Sequence, residues 1–269
     1  MKKKVKYTIF GHSGFLGSNI TKKLKEKNYS VFLPSRNKVK FAKNLNNVIY
    51  CIGSDNVLED PINAVQSNLL KLTQIIQNNK FKKFIYVSST RLYLNTKDTN
   101  ENNKISINSS SKNYFYNSLK VAAENFCLSQ DNKNIKVVRL SNLYGLNFKK
   151  QTYLLPTLIR NSKRNKITSI YINKKSKKNF LNVSDAINVI IKIMNKSKYR
   201  IYNIASNKRI SIEKIVYCIK KNINCKIIYS NQKKIINEPK IDISRIKKEY
   251  KFKPNNNFEK VVTDIIYKY

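Results

Sequence analysis

Tyr116 and Lys120 stand four residues apart in Tyr116-Asn117-Ser118-Leu119-Lys120, so a helix would carry a phenol and an ammonium on one face. A phenol with its ordinary pKa near 10 is a poor base at neutral pH. A neighbouring cation favours the phenolate and brings proton transfer within reach. Ahead of this pair, Val87-Ser88-Ser89-Thr90 closes an apolar run with hydroxyls that could orient an oxygen whose proton the phenol takes or gives. Alone, a Tyr–Lys pair means little in a chain with 17 tyrosines and 54 lysines and arginines. Its weight comes from a loop near the amino terminus.

That loop is Gly11-His12-Ser13-Gly14-Phe15-Leu16-Gly17, which holds three of the chain's five glycines at GxxGxxG spacing. In such a loop Gly11 permits the tight turn, Gly14 lets the backbone approach a pyrophosphate, and Gly17 lets the next helix pack closely on the sheet. Ser13, Phe15 and Leu16 complete the phosphate loop, and the anion is expected at the positive end of the helix. His12 reads as a spacer, because no carboxylate lies near it in sequence to orient an imidazole. After the second β-rich run comes Ser35-Arg36-Asn37. An NAD site usually offers an acid here for the ribose, whereas Arg36 can clamp a 2′-phosphate, helped by Ser35 or Asn37. NADP is therefore the favoured cofactor and NAD the alternative.

These groups need a sheet whose carboxyl edge gathers them. Short β-rich runs at 6–10, 30–33, 47–52, 83–87 and 136–140 alternate with helical patterns at 14–27, 62–78 and 114–128. That rhythm predicts a Rossmann-type α/β fold, a doubly wound parallel sheet. The run Val48-Ile49-Tyr50-Cys51-Ile52 is continuously apolar, as in a strand covered on both faces. Residues 95–113, rich in Asn, Ser, Thr and Lys, can only be a long loop, either functional or a surface insertion. After Gly145 the rhythm changes: a helix near 154–163, a basic hairpin region up to Lys178, helices at 183–194, 212–221 and 257–267, and a strand at 199–205. The expected division is a dinucleotide-binding domain of 1–148 and 179–206, with a smaller C-terminal α/β substrate lobe of 149–178 and 207–269.

The net charge of +39 suggests a nucleic-acid binder, since lysines release counterions from phosphates. But the charge is nearly all lysine, with eight arginines, and runs from Lys2 to Lys268 beside abundant asparagine. An AT-rich coding sequence produces that pattern, so no nucleic-acid partner is expected and the field serves to attract anionic ligands. Cys51, Cys127, Cys218 and Cys225 form no paired motif and the single histidine is His12, so no metal site is expected. No run of about 18 apolar residues occurs. The start, Met1-Lys2-Lys3-Lys4, leads straight into alternating residues without a signal-like apolar core, so a cytoplasmic location is expected.

With these residues in place, the chain resembles an extended short-chain dehydrogenase/reductase of the NAD(P)-dependent epimerase/dehydratase, or nucleotide-sugar, family over nearly its whole length. Gly11–Gly17 resembles GxxGFLG, Tyr86–Tyr93 resembles VSSxxVYG, and Tyr116–Glu124 resembles YxxSKxxAE. Arg139–Gly145 resembles RxxNVYG, Phe180–Asp185 resembles DFIHVDD, and Tyr202–Ala205 resembles YNIGSG. The resemblance implies a catalytic Ser89, Tyr116 and Lys120, the lysine also holding the nicotinamide ribose. It places Ile52, Gly53, Asn68 and Leu143 at the cofactor, Thr90 and Asn142 at a nucleotide-sugar substrate, and a homodimer at the helices near 62–78 and 114–128. Leu94, Leu119 and Lys71 depart from the family's glycine, serine and glycine, and Ile52-Gly53 replaces two alanines. Sugar 4,6-dehydratases carry an acidic pair after the active hydroxyl; here Thr90-Arg91 disfavours dehydration and leaves epimerisation or ketone reduction, in polysaccharide precursor synthesis. The alternative readings are a non-catalytic dinucleotide-sensing or nucleic-acid-binding protein on the same fold, and attachment to an anionic membrane through the lysines.

Overall fold

The structure is a computed structural model that describes residues 6–94, 96–146, 153–230, 233–255 and 257–268. The chain opens with β1 (Lys6–Phe10), α1 (Phe15–Glu26), β2 (Ser30–Phe32) and β3 (Asn47–Tyr50). Next come α2 (Pro61–Val65), a π-helical turn (Gln66–Leu70), α3 (Lys71–Asn78), β4 (Lys83–Ser89), α4 (Phe115–Ser129) and β5 (Ile135–Leu140). Then come β6 (Asn142–Tyr144), α5 (Leu154–Asn165), β7 (Ile167–Ile170), β8 (Lys177–Asn182), α6 (Val183–Asn195) and β9 (Ile201–Ile204). The chain ends with β10 (Arg209–Ser211), α7 (Ile212–Lys220), β11 (Lys226–Tyr229), α8 (Ser244–Tyr250) and α9 (Phe258–Lys268).

The central sheet has six parallel strands in the order β2-β1-β3-β4-β5-β9. The order reverses at β1, so the carboxyl ends of β1 and β3 flank the crevice where such sheets bind ligands. Because side chains alternate across a strand, each apolar run feeds two cores. Tyr7, Ile9, Ile49, Ile85 and Val138 face a cluster with Ile20 and Leu24 of α1 and Ile187 and Ile190 of α6. Phe10, Tyr50, Phe84, Tyr86 and Val137 face Leu72 and Ile75 of α3 and Ala123 and Cys127 of α4. That double coverage is why Val48-Ile49-Tyr50 is apolar throughout.

Two smaller sheets lie outside this frame, one of order β10-β8-β6 and one of β11-β7. The expected basic hairpin is absent: β7 pairs in parallel with β11, while β8 pairs with β10 and β6. Their partners come from more than 25 residues away, a distance that local patterning cannot register. Residues 96–111 carry no helix or strand, yet they are anchored. Thr99 and Glu101 are buried; the Thr99 hydroxyl donates to the Lys240 carbonyl and accepts from Asp242, and Glu101 accepts from the Asn203 amide. The long loop thereby ties β4 to the C-terminal segment. Among the described residues no helix is long and apolar enough to cross a membrane.

Candidate active site

The glycine loop joins β1 to α1, and its three glycines answer to different demands. Gly11 has φ +81°, and a Cβ there would lie 2.9 Å from the carbonyl carbon of Cys51. At Gly17 a Cβ would fall 2.2 Å from the Gly11 oxygen, so only glycine lets α1 sit this close to the turn. Gly14 differs: its φ of −77° is ordinary, and a Cβ would make only a 3.4 Å contact with Gly11 O. The protein itself does not require glycine at 14; the approach of a ligand to the backbone would. Gly14 is also the N-cap of α1 and brings no side-chain cap, which suits an anion at that end. Phe15 is buried and Leu16 packs against the core, so both face inward and leave the backbone as their contribution, whereas Ser13 is exposed.

The second half of the site comes from the end of β4 and the first turns of α4. Ser89 ends β4 and caps a 3-10 turn (Thr90–Tyr93), its Oγ accepting from the Arg91 amide at 3.1 Å. The same hydroxyl lies near enough to the phenol of Tyr116, one helical turn before Lys120, to draw its proton affinity down. Lys120 is buried, with Nζ 5.7 Å from the Tyr116 ring centre, 5.1 Å from that of Tyr86, and 3.3 Å from the Val87 carbonyl. The structure thus gathers Ser89, Tyr116 and Lys120.

Their electrostatics differ from the sequence expectation. Burial pushes the Tyr116 phenol up to about 12; the Ser89 hydroxyl and the Arg91 charge pull it down, and Tyr153 and Asp55 push it further up. The largest cationic pull therefore comes from Arg91, whose guanidinium carbon stands 5.3 Å from the ring centre, and not from Lys120. Lys120 is itself pressed down to about 8 by burial, against the charge of Glu124. Sequence spacing gives no sign that Arg91 acts here, because it lies 25 residues before Tyr116; only the turn after Ser89 brings it over the ring.

Gly53 and Asn68 build the wall between the two halves. Asn68 sits in the π-helical turn, and its Nδ2 donates to Ser54 O at 2.8 Å and Ala64 O at 2.9 Å. Its Oδ1 is buried and has no hydrogen-bond partner among the described residues. A Cβ on Gly53 would lie 2.9 Å from that oxygen and 3.2 Å from Lys120 Nζ, so Gly53, Asn68 and Lys120 converge. Ile52 is half-buried beside them, while Ser35, Arg36 and Asn37 stand exposed beyond β2. On the other side Thr90 is buried and Leu143 packs half-buried on the core. Asn142 is exposed, and its amide nitrogen donates to Asn179 O at 2.9 Å and to the Glu238 carboxylate at 3.0 and 3.2 Å. Among the described residues no hydrogen bond joins it to Ser89, Tyr116 or Lys120.

Residues 53–205 match the NAD dependent epimerase/dehydratase family, a span that contains Gly53, Ser89, Tyr116 and Lys120 and begins after the glycine loop. The chain belongs to this family. It is 28% identical over 173 residues to a dTDP-D-glucose 4,6-dehydratase of Dictyostelium discoideum, a match covering 58% of this chain and 39% of that protein. Solved structures share the fold at lower identity. RMD from Pseudomonas aeruginosa complexed with NADPH superposes with a TM-score of 0.82 at 17% identity, covering 98% of each chain. UDP-glucuronic acid 4-epimerase from Bacillus cereus, in complex with UDP-glucuronic acid and NAD, gives 0.80 at 17% identity over 98% and 99%. A dTDP-glucose 4,6-dehydratase from Bacillus anthracis in complex with NAD gives 0.78 at 17% identity over 98% and 96%.

An epimerase/dehydratase of this family needs a seat for NAD, and the residues fit one. The uncapped Gly14 end of α1, the orphaned Asn68 oxygen and the space kept by Gly53 beside Lys120 are features that the apolar core does not explain. Among the described residues no group of three or more His, Cys, Asp and Glu is arranged to hold a metal ion.

Proposed function

We propose that this family member is a nucleotide-sugar epimerase or ketoreductase that works by hydride transfer, with Ser89, Tyr116 and Lys120 as its catalytic residues. The observation that carries the reading is the buried Lys120, whose Nζ stands 5.7 Å from the Tyr116 ring centre and borders Gly53, with the Ser89 hydroxyl acting on the same phenol. A bound nicotinamide dinucleotide supplies the hydride acceptor and donor. Gly11, Ser13, Gly14, Phe15, Leu16 and Gly17 seat its diphosphate, Ile52, Gly53, Asn68 and Leu143 border it, and Lys120 holds its ribose hydroxyls. Ser89 orients the reacting sugar oxygen, and Tyr116 takes that oxygen's proton during oxidation or returns it during reduction. Arg91 favours the phenolate against the burial that opposes it. NADP is favoured over NAD through Arg36, with Ser35 and Asn37.

The named relatives include dehydratases, but the positions after Ser89 argue for other chemistry here. Elimination of water calls for groups that abstract and donate protons at two further atoms. Thr90 is a buried hydroxyl and Arg91 is a permanent cation, so neither offers a carboxylate. The segments outside the central sheet, around β6, β8 and α5, form the substrate side, with Thr90 and Asn142 toward the sugar. Mass spectrometry of the ligands that co-purify with the protein, followed by conversion of that nucleotide sugar by wild type and Tyr116→Phe, tests the reading. Turnover by wild type and none by the variant supports it; equal turnover overturns it.

A further inference from the structure

The π-helical turn that aims Asn68 toward Gly53 also delivers Lys71 to the far end of the site. A π turn adds one residue to a helix, which rotates the succeeding residues by about 100° relative to an unbroken α-helix. Lys71 comes directly after that turn, as the first residue of α3. Its Nζ reaches across 35 residues of sequence to donate to the Arg36 carbonyl, on the turn beyond β2. Burial and the Arg36 charge both press the lysine's proton affinity down, so the two side chains are near enough to repel. No ion pair among the described residues includes either one.

Two cations held together without an acid raise the energy of the empty protein and lower that of a complex with a dianion. An open hollow lined by Phe32, Ser35, Lys38, Phe41, Ala42 and Lys43 takes in Ser35 of the same turn, and its two lysines add to the positive field. β2 lies beside β1, so this turn and the glycine loop share one edge of the sheet. A dinucleotide laid along that edge would bring its adenosine ribose to Arg36.

We propose that Lys71 is a cofactor-selecting residue that, together with Arg36, grips a phosphate on the 2′-oxygen of that ribose. This rests on the dinucleotide reading above and names which helix residue enforces it. Hydrogen bonding to Arg36 O uses one of the three ammonium donors and fixes Nζ at the turn, leaving two for phosphate oxygens. The pair differs from a lone arginine in that its second charge comes from another element, so selection depends on how α3 seats against β2.

The test is equilibrium titration of the whole protein with NADPH and with NADH, read by nicotinamide fluorescence, for wild type, Lys71→Gln and Lys71→Arg. Wild type is expected to prefer NADPH. In Lys71→Gln the NADPH dissociation constant should rise about tenfold or more, the cost of a charge-assisted hydrogen bond, while NADH binding changes by less than about twofold. Lys71→Arg should restore most of the preference. Equal wild-type affinity for the two dinucleotides, equal weakening of both by Lys71→Gln, or no weakening of either overturns the proposal. Failure of wild type to bind either one overturns the dinucleotide reading itself, a separate outcome. A purely structural role for Lys71 would move both titrations together.

Discussion

One face of α4 carries Tyr116, Lys120 and Glu124 at successive turns, and its two ends are built on opposite principles. At Glu124 every need is met. Arg139 donates to both carboxylate oxygens at 2.6–3.1 Å and to the Tyr93 hydroxyl at 2.6 Å, and Tyr93 donates to Asn203 at 2.9 Å. All four are buried. At Tyr116 and Lys120 the needs are left open. The phenol is driven up to about 12, the ammonium down to about 8, and Asn68 Oδ1 and Asn117 Oδ1 close by have no partner among the described residues. A satisfied network fixes β5 and β9 against the helix; the unsatisfied one is what the proposed dinucleotide would complete. On the proposed reading the same helix joins architecture to chemistry within nine residues.

The largest expected difference between the two ends is in turnover. Tyr116→Phe should cut the rate by roughly a thousandfold, the range of a lost acid–base group, and leave thermal unfolding unchanged. A variant that unfolds early and still turns over would place Tyr116 on the architectural side. Next, Arg139→Met strips the buried Glu124 of its partner and should cost about 3–5 kcal/mol in denaturant unfolding. Loss below roughly 1 kcal/mol would mean that the network is not what holds β5 to α4.

Lys120→Met runs the opposite way. The unfolded ammonium keeps its proton up to its ordinary 10.5 while the folded one releases it near 8, so between those values the unfolded chain binds more protons and wild-type stability climbs with pH. Below about 8 the wild type bears the full penalty, at most roughly 3 kcal/mol, and the variant should be more stable by up to that amount. The gain should shrink between pH 8 and 10.5, as urea unfolding across that range would record. A gain independent of pH would assign the effect to packing. Smallest of all, Gly53→Ala sets a methyl against two movable side-chain ends and should alter stability by about 1 kcal/mol or less, while weakening dinucleotide binding measured by calorimetry.

Much of this was legible in the sequence because it is local. β1 runs from Lys6 to Phe10 as the alternation predicts, and the loop glycines and the Tyr–Lys spacing declare themselves within seven and five residues. Non-local facts were not legible. The helical pattern at 62–78 hides a π turn, since one extra residue barely disturbs an apolar stripe. β6, β10, β11 and α8 are short, with three to seven residues each, and draw their stability from distant partners. Arg91 over the Tyr116 ring, Lys71 at the Arg36 turn and Glu238 on Asn142 are contacts between residues 25 to 96 positions apart. Composition carries no trace of them.

Whether the glycine loop and the open end of α4 serve one dinucleotide is decided by titrating the Lys120→Met protein with the better-bound of NADPH and NADH. Tyr116→Phe is expected to bind as wild type does, whereas Lys120→Met, though more stable, should bind at least about tenfold more weakly. Unchanged affinity in Lys120→Met would contradict a shared dinucleotide, because the ligand seated at Gly14 would then not reach α4.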